Sequence, residues 1–153
     1  MNPLNPYYPL ISALSATIIA QILKPIFSRL AHHPWKLSTI KDSGGFPSSH
    51  AAAAIALMIA VALKDGLASS SFAMALVLTM IVCYDAANVR YYAGQNIKIT
   101  QQLIKDIQVI GQVKLDDPVY RTQVKEVLGH RWFEVFGGVM VGITVALVLL
   151  LIL

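Results

Sequence analysis

The run FEVFGGVMVGITVALVLLLIL, residues 133–153, carries one charge, Glu134, in 21 positions. A helix needs about 20 apolar residues to cross the hydrocarbon core of a bilayer, so this segment is long enough to cross alone. Three further apolar stretches precede it, at roughly Leu10 to Phe27, Ser48 to Leu63 and Phe72 to Tyr92. The second is short for a crossing and is expected to tilt, to pack centrally or to begin inside the headgroup layer. Composition agrees. Of 153 residues, 56% are hydrophobic and 13% charged, with a mean hydropathy of +0.63, whereas an ordinary soluble domain is about 25% charged. These figures exclude a disordered chain, a disulfide scaffold and a typical cytosolic enzyme. The single cysteine, Cys83, allows no internal disulfide and no paired-cysteine metal site. The expectation is an all-α integral membrane bundle of about four spanning helices, one domain over residues 1–153.

Charge placement orients the bundle. No Lys or Arg precedes Lys24, so the basic region of a secretory signal is absent and the first span is expected to be retained. Four crossings put segments 28–47 and 93–132 on one face, which then receives 11 of the 12 Lys and Arg residues; only Lys64 lies opposite. The positive-inside rule makes that face cytoplasmic and both termini external, as in a bacterial plasma-membrane protein. The net charge of +4 is read as contact with anionic headgroups rather than nucleic acid. Segment 93–132 reads as a surface-helical insertion. Ile99, Leu103, Ile107 and Ile110 recur at helical spacing among Gln101, Lys105, Asp106 and Gln108, which predicts an amphipathic surface helix near 96–112. Asp117-Pro118 then predicts a helix start and Gly129 a stop, giving a second surface helix near 118–128.

Three stretches carry polar chemistry. In Asp42-Ser-Gly-Gly-Phe-Pro-Ser-Ser-His50, a glycine-rich turn containing Gly45 feeds a helix start where backbone N–H groups and the Ser48 and Ser49 hydroxyls favour an anion. A capped helix with an interfacial histidine is the structural alternative. In Gly129-His130-Arg-Trp-Phe-Glu134, the histidine and the carboxylate lie four apart on one helix face, either as a nucleophile with its orienting acid or as an interfacial ion pair. In Tyr84-Asp-Ala-Ala-Asn-Val-Arg90, Asp85 and Arg90 are costly at membrane depth unless they line a cavity or pair; a buried ion pair is the alternative. Counting crossings brings Lys24, His50, Arg90 and His130 to one membrane face, and Lys41 lies in the loop there. Cations meeting a helix N-terminus make a phosphate site. Gly138-x-x-x-Gly142 suits either a homodimer seam or close packing within the chain.

Phe46-Pro-Ser-Ser-His50 with His130-x-x-x-Glu134 resembles the type 2 phosphatidic acid phosphatase and vanadium haloperoxidase superfamily. Ser43-Gly-Gly-Phe-Pro-Ser-Ser-His-Ala51, Asp85-Ala-Ala-Asn-Val-Arg90 and Leu128-Gly-His-x-x-x-Glu134 resemble its small divergent bacterial and plant branch, over nearly the whole chain. The resemblance implies a hydrolase that cleaves phosphomonoesters or diphosphates without metal or cofactor, through a phosphohistidine. It implies His130 as nucleophile, Glu134 as its orienting acid and His50 as the acid that protonates the leaving group. Ser48, Ser49, Lys24, Lys41 and Arg90 would hold the phosphate, supported by Asp85 and Gly45. The chain differs from the superfamily in having Glu134 where Asp is usual, Val124 six residues before the histidine where Arg is usual, and no Lys-x6-Arg-Pro clamp. The expected function is a lipid phosphate or prenyl diphosphate phosphatase, the alternative a non-catalytic lipid-phosphate binder.

Overall fold

The computed structural model describes residues 5–30, 45–111 and 132–153, with the backbone alone at 89–91 and 93. Five α-helices fill these segments: α1 Tyr8–Leu30, α2 Ser49–Asp65, α3 Ser70–Tyr84, α4 Arg90–Gly111 and α5 Trp132–Ile152, with a π-helical turn Asp85–Val89 joining α3 to α4. Among the described residues, three helical stretches are long and apolar enough to cross a membrane: α1, α3 extended through the π turn to Asn88, and α5. The protein is an all-α membrane bundle.

A shorter helix, which falls outside those three, sits in the middle. Helix α2 has 17 residues and packs against α1, α3 and α5. It can do so because the residues it buries include Ala51, Ala52, Ala54, Ala56 and Ala60. Small side chains let helix backbones approach closely where lipid supplies no hydrophobic drive between helices. Helix α1 answers with a stripe at every fourth residue, Tyr8, Ser12, Ala16, Ala20 and Lys24, all buried. Ala16 and Ala20 join Ala52, Ala56, Val145 and Ala146 in one core. Helix α5 answers with glycines. A Cβ on Gly142 would stand 2.6 Å from the Ala52 carbonyl oxygen, and one on Gly138 would overlap the Ser48 carbonyl oxygen. The Gly138–Gly142 seam therefore faces α2 of its own chain, which is the close packing within the chain that its spacing allowed.

Hydrogen bonds set the directions. The Tyr8 hydroxyl donates to the Ala146 carbonyl at 2.8 Å, which ties the start of α1 to the far half of α5. The Thr79 hydroxyl lies 2.7 Å from the Ala75 carbonyl and 3.0 Å from the Ala54 carbonyl across on α2. A tight turn links α2 to α3. Gly66, at φ +87°, donates its N–H to Ala62 at 3.1 Å, and the Ser69 hydroxyl accepts from the Phe72 N–H at 3.1 Å. Helices α2 and α5 thus run parallel to each other and antiparallel to α1 and α3. One end of the bundle collects the end of α1, the start of α2, the π turn and the start of α5.

The sequence reading separates a third apolar stretch, ending at Tyr92, from a surface helix near 96–112. The structure joins them. Helix continues from Ser70 through the π turn to Gly111, because Gly94 is the one helix-weakening residue in Ala93-Gly94-Gln95 between the two patterns and one glycine costs a helix only about 1 kcal/mol. The surface helix predicted near 118–128, with Asp117-Pro118 and Gly129, lies outside the described residues.

Candidate functional site

The N-terminus of α2 is the anchor of the collected end. Gly45, at φ +99°, takes the left-handed conformation that side chains resist, and the Phe46-Pro47 bond is cis. Ser48 is the N-cap; its hydroxyl oxygen accepts from the Ala51 N–H at 3.3 Å. Its own N–H donates to the Glu134 carbonyl at 2.9 Å. That bond fastens the Ser-Ser-His turn to the first turn of α5, two motifs 86 positions apart in the chain. Ser48 and Ser49 are buried, and His50 is half-buried.

The π turn forms the second wall. Ala86 and Ala87 pack on Ala51 of α2 and Val135 of α5, with Cys83 against them. Asp85, half-buried, opens this turn. Such wide turns inside helices recur at functional sites because they re-aim the residues that follow. Arg90 follows as the first residue of α4; its side chain is outside the described part of the molecule.

Helix α1 supplies the third wall. One turn beyond Ala20 on the buried stripe, Lys24 comes level with the start of α2 at 1% exposure. The next residue, Pro25, lacks an N–H, so the Gln21 carbonyl receives no helix bond from it. Gln21 also buries its side-chain oxygen with no hydrogen-bond partner among the described residues.

An aromatic stack closes the end of the bundle. Phe46 lies edge-on to Phe27 of α1, with centroids 4.8 Å apart and planes at 79°. It stacks on Phe133 of α5, also at 4.8 Å with planes at 20°. The ring fills the space over Gly137, where any Cβ would overlap it.

The structure therefore brings Lys24, Gly45, Ser48, Ser49, His50, Asp85 and Glu134 to one end of the bundle. Lys41 and His130 lie outside the described residues. Sequence reading passed over the Phe27–Phe46–Phe133 stack and the Gly137 gap beneath it. Phe46 stood inside the quoted motif, yet no spacing rule links a loop phenylalanine to a glycine 91 positions later.

The model of the Divergent PAP2 family matches residues 6–145, a span that includes all three polar motifs. The uncharacterized membrane protein YuiD of Bacillus subtilis (strain 168) is 37% identical over 147 residues, covering 93% of each chain. No solved structure matches the chain.

Proposed function

Because the chain belongs to the divergent PAP2 family, we propose that it is a membrane-embedded lipid phosphate or diphosphate phosphatase that works through a phosphohistidine. The observation that carries this reading is the 2.9 Å bond from the Ser48 N–H to the Glu134 carbonyl. It joins the anion-binding turn to the helix that follows His130 by two residues.

In the proposed mechanism a His130 ring nitrogen attacks phosphorus as the bond to the leaving oxygen breaks, and His50 gives that oxygen its proton. Water then attacks the phosphohistidine, His50 takes up the proton released, and inorganic phosphate leaves with His130 restored. Glu134, one turn from His130 in sequence, accepts from the other ring nitrogen and holds the imidazole in register. While the Ala51 N–H stays on the Ser48 oxygen, the Ser49 and His50 amides, with the Ser48 and Ser49 hydroxyls as donors, hold phosphoryl oxygens. Lys24, Lys41 and Arg90 neutralise their charge, while Gly45 and Asp85 shape the turn and its wall. No metal or cofactor enters the scheme. The site lies at one end of the bundle, where a lipid headgroup reaches it while the chains remain among apolar helices. The charge bias supports a cytoplasm-facing site, and the bacterial relative supports a plasma membrane.

A second reading, a lipid-phosphate binder without turnover, is favoured by Val124 at the position where the superfamily usually carries an arginine. One experiment separates them. The purified protein is expected to release phosphate from lipid phosphates in the presence of EDTA, and His130→Ala to abolish that release. Equal release by both proteins would remove the enzymatic reading.

A further inference from the structure

We propose that Phe46 and Gly137 form a seat that positions the Ser48–Ser49–His50 turn for the phosphoryl group, an inference that rests on the phosphatase reading above. Two independent fastenings hold that turn to α5. One is the backbone bond from Ser48 to Glu134 at 2.9 Å. The other is the Phe46 ring, laid over Gly137 and stacked on Phe133. Phe133 and Gly137 are four apart, so α5 presents a ring and then a gap on one face, and Phe46 fills the gap. Between Phe46 and Ser48 stands only Pro47, itself fully buried. Its ring locks φ, so displacement of Phe46 passes to Ser48 with little slack.

Gly137 differs from the two glycines that follow the ordinary rule of close helix approach. Gly138 and Gly142 make room for backbone carbonyls of α2, at Ser48 and Ala52. Gly137 makes room for a side chain belonging to the turn itself. Neither Phe46 nor Gly137 is a catalytic residue. Both act through Ser48 and His50.

The test uses the purified full chain, a long-chain lipid phosphate as substrate and orthovanadate as the phosphate analogue. Gly137→Ala is expected to lower kcat/KM and vanadate affinity together by about tenfold or more, since a misplacement of about 1 Å near reacting groups costs on the order of a hundredfold. Gly142→Ala, whose methyl meets Ala52 and Ile55, is the packing control and is expected to leave vanadate affinity unchanged. The double variant Phe46→Ala/Gly137→Ala lacks the ring that the methyl strikes, so it is expected to fall no lower than Phe46→Ala alone. The inference is overturned if Gly137→Ala loses only folded protein, with KM and vanadate affinity of the remainder unchanged, or if the two substitutions add. Should Gly137→Ala fail to fold, Phe46→Leu, which adds no clash, must show the same paired loss; unchanged vanadate affinity there also overturns it. If the wild type neither releases phosphate nor binds vanadate, the phosphatase reading fails and takes this inference with it. With an active wild type, the variants judge the seat alone.

Discussion

Lys24 ends a stripe of small residues and is itself almost fully buried, at 1% exposure. A cation at that depth is expensive, and membrane proteins keep one where it binds or moves something. Lys24→Met preserves the apolar stem and removes the charge. The variant is expected to remain helical by circular dichroism and to lose about a hundredfold or more in kcat/KM for a lipid phosphate, comparable to removing one charge-stabilising donor from an active site. An unchanged kcat/KM would remove Lys24 from the phosphate site. Tyr8, at the other end of the same stripe, has a purely structural task in its 2.8 Å bond to Ala146. Tyr8→Phe should lower the unfolding free energy by about 0.6 kcal/mol, the average for hydrogen bonds between helices in membranes. Reversible denaturation in mixed micelles measures this, and turnover is expected to stay at the wild-type value.

At the scale of elements, α2 organises the bundle because its alanines and the facing glycines of α5 remove everything between the two backbones. Close approach leaves no room for growth. Gly142→Val would drive side-chain atoms into the Ala52 carbonyl and Ile55, and overpacking of this kind costs typically 1–3 kcal/mol. The expected outcome is a lower denaturation midpoint with no change in oligomeric state by light scattering, since the glycines face inward. A loss of oligomer without loss of stability would place the seam between chains instead. The π turn is the second organising element. It packs Ala86 and Ala87 against both α2 and α5 and continues into α4, whose Ile99, Leu103, Ile107 and Ile110 are all exposed. An exposed apolar row of this kind is what the sequence expectation of a membrane-surface helix requires.

At the scale of the whole molecule, counting crossings along the sequence leaves Lys64 alone among 12 Lys and Arg residues opposite the site. Each basic residue near an anionic leaflet is worth about 1 kcal/mol, so the site end should face the cytoplasm. Setting aside the proposed phosphate partners Lys24, Lys41 and Arg90, together with Arg131 beside His130, the same count still assigns seven of the other eight basic residues to the site face. Single cysteines report the orientation in a Cys83→Ala background. Gln108 on α4 and Leu67 in the α2–α3 turn are both exposed; Gly66 is unsuitable because its φ of +87° strains any side chain. An impermeant thiol reagent on intact cells is expected to label Leu67→Cys and spare Gln108→Cys. The reverse pattern would turn the site outward and leave its chemistry standing.

The sequence by itself determined that this is a helical membrane protein and which polar motifs share an end of it. Apolar length sets the spans, and each crossing reverses the chain, so counting assigns Lys24, His50, Arg90 and His130 to one face without any knowledge of packing; of these the structure describes the side chains of Lys24 and His50, and it places both at one end of the bundle. Tertiary structure decided everything that depends on which face of a helix meets which neighbour. It put α2 at the centre, turned Gly138 and Gly142 inward, spent the Ser48 hydroxyl oxygen as a cap, and dropped the Phe46 ring over Gly137. A soluble helix announces its buried face by periodicity, but α3 and α5 are apolar on every side, and a helix hydrophobic all round carries no such signal. Their faces were set only by the fit of alanine against glycine and ring against gap.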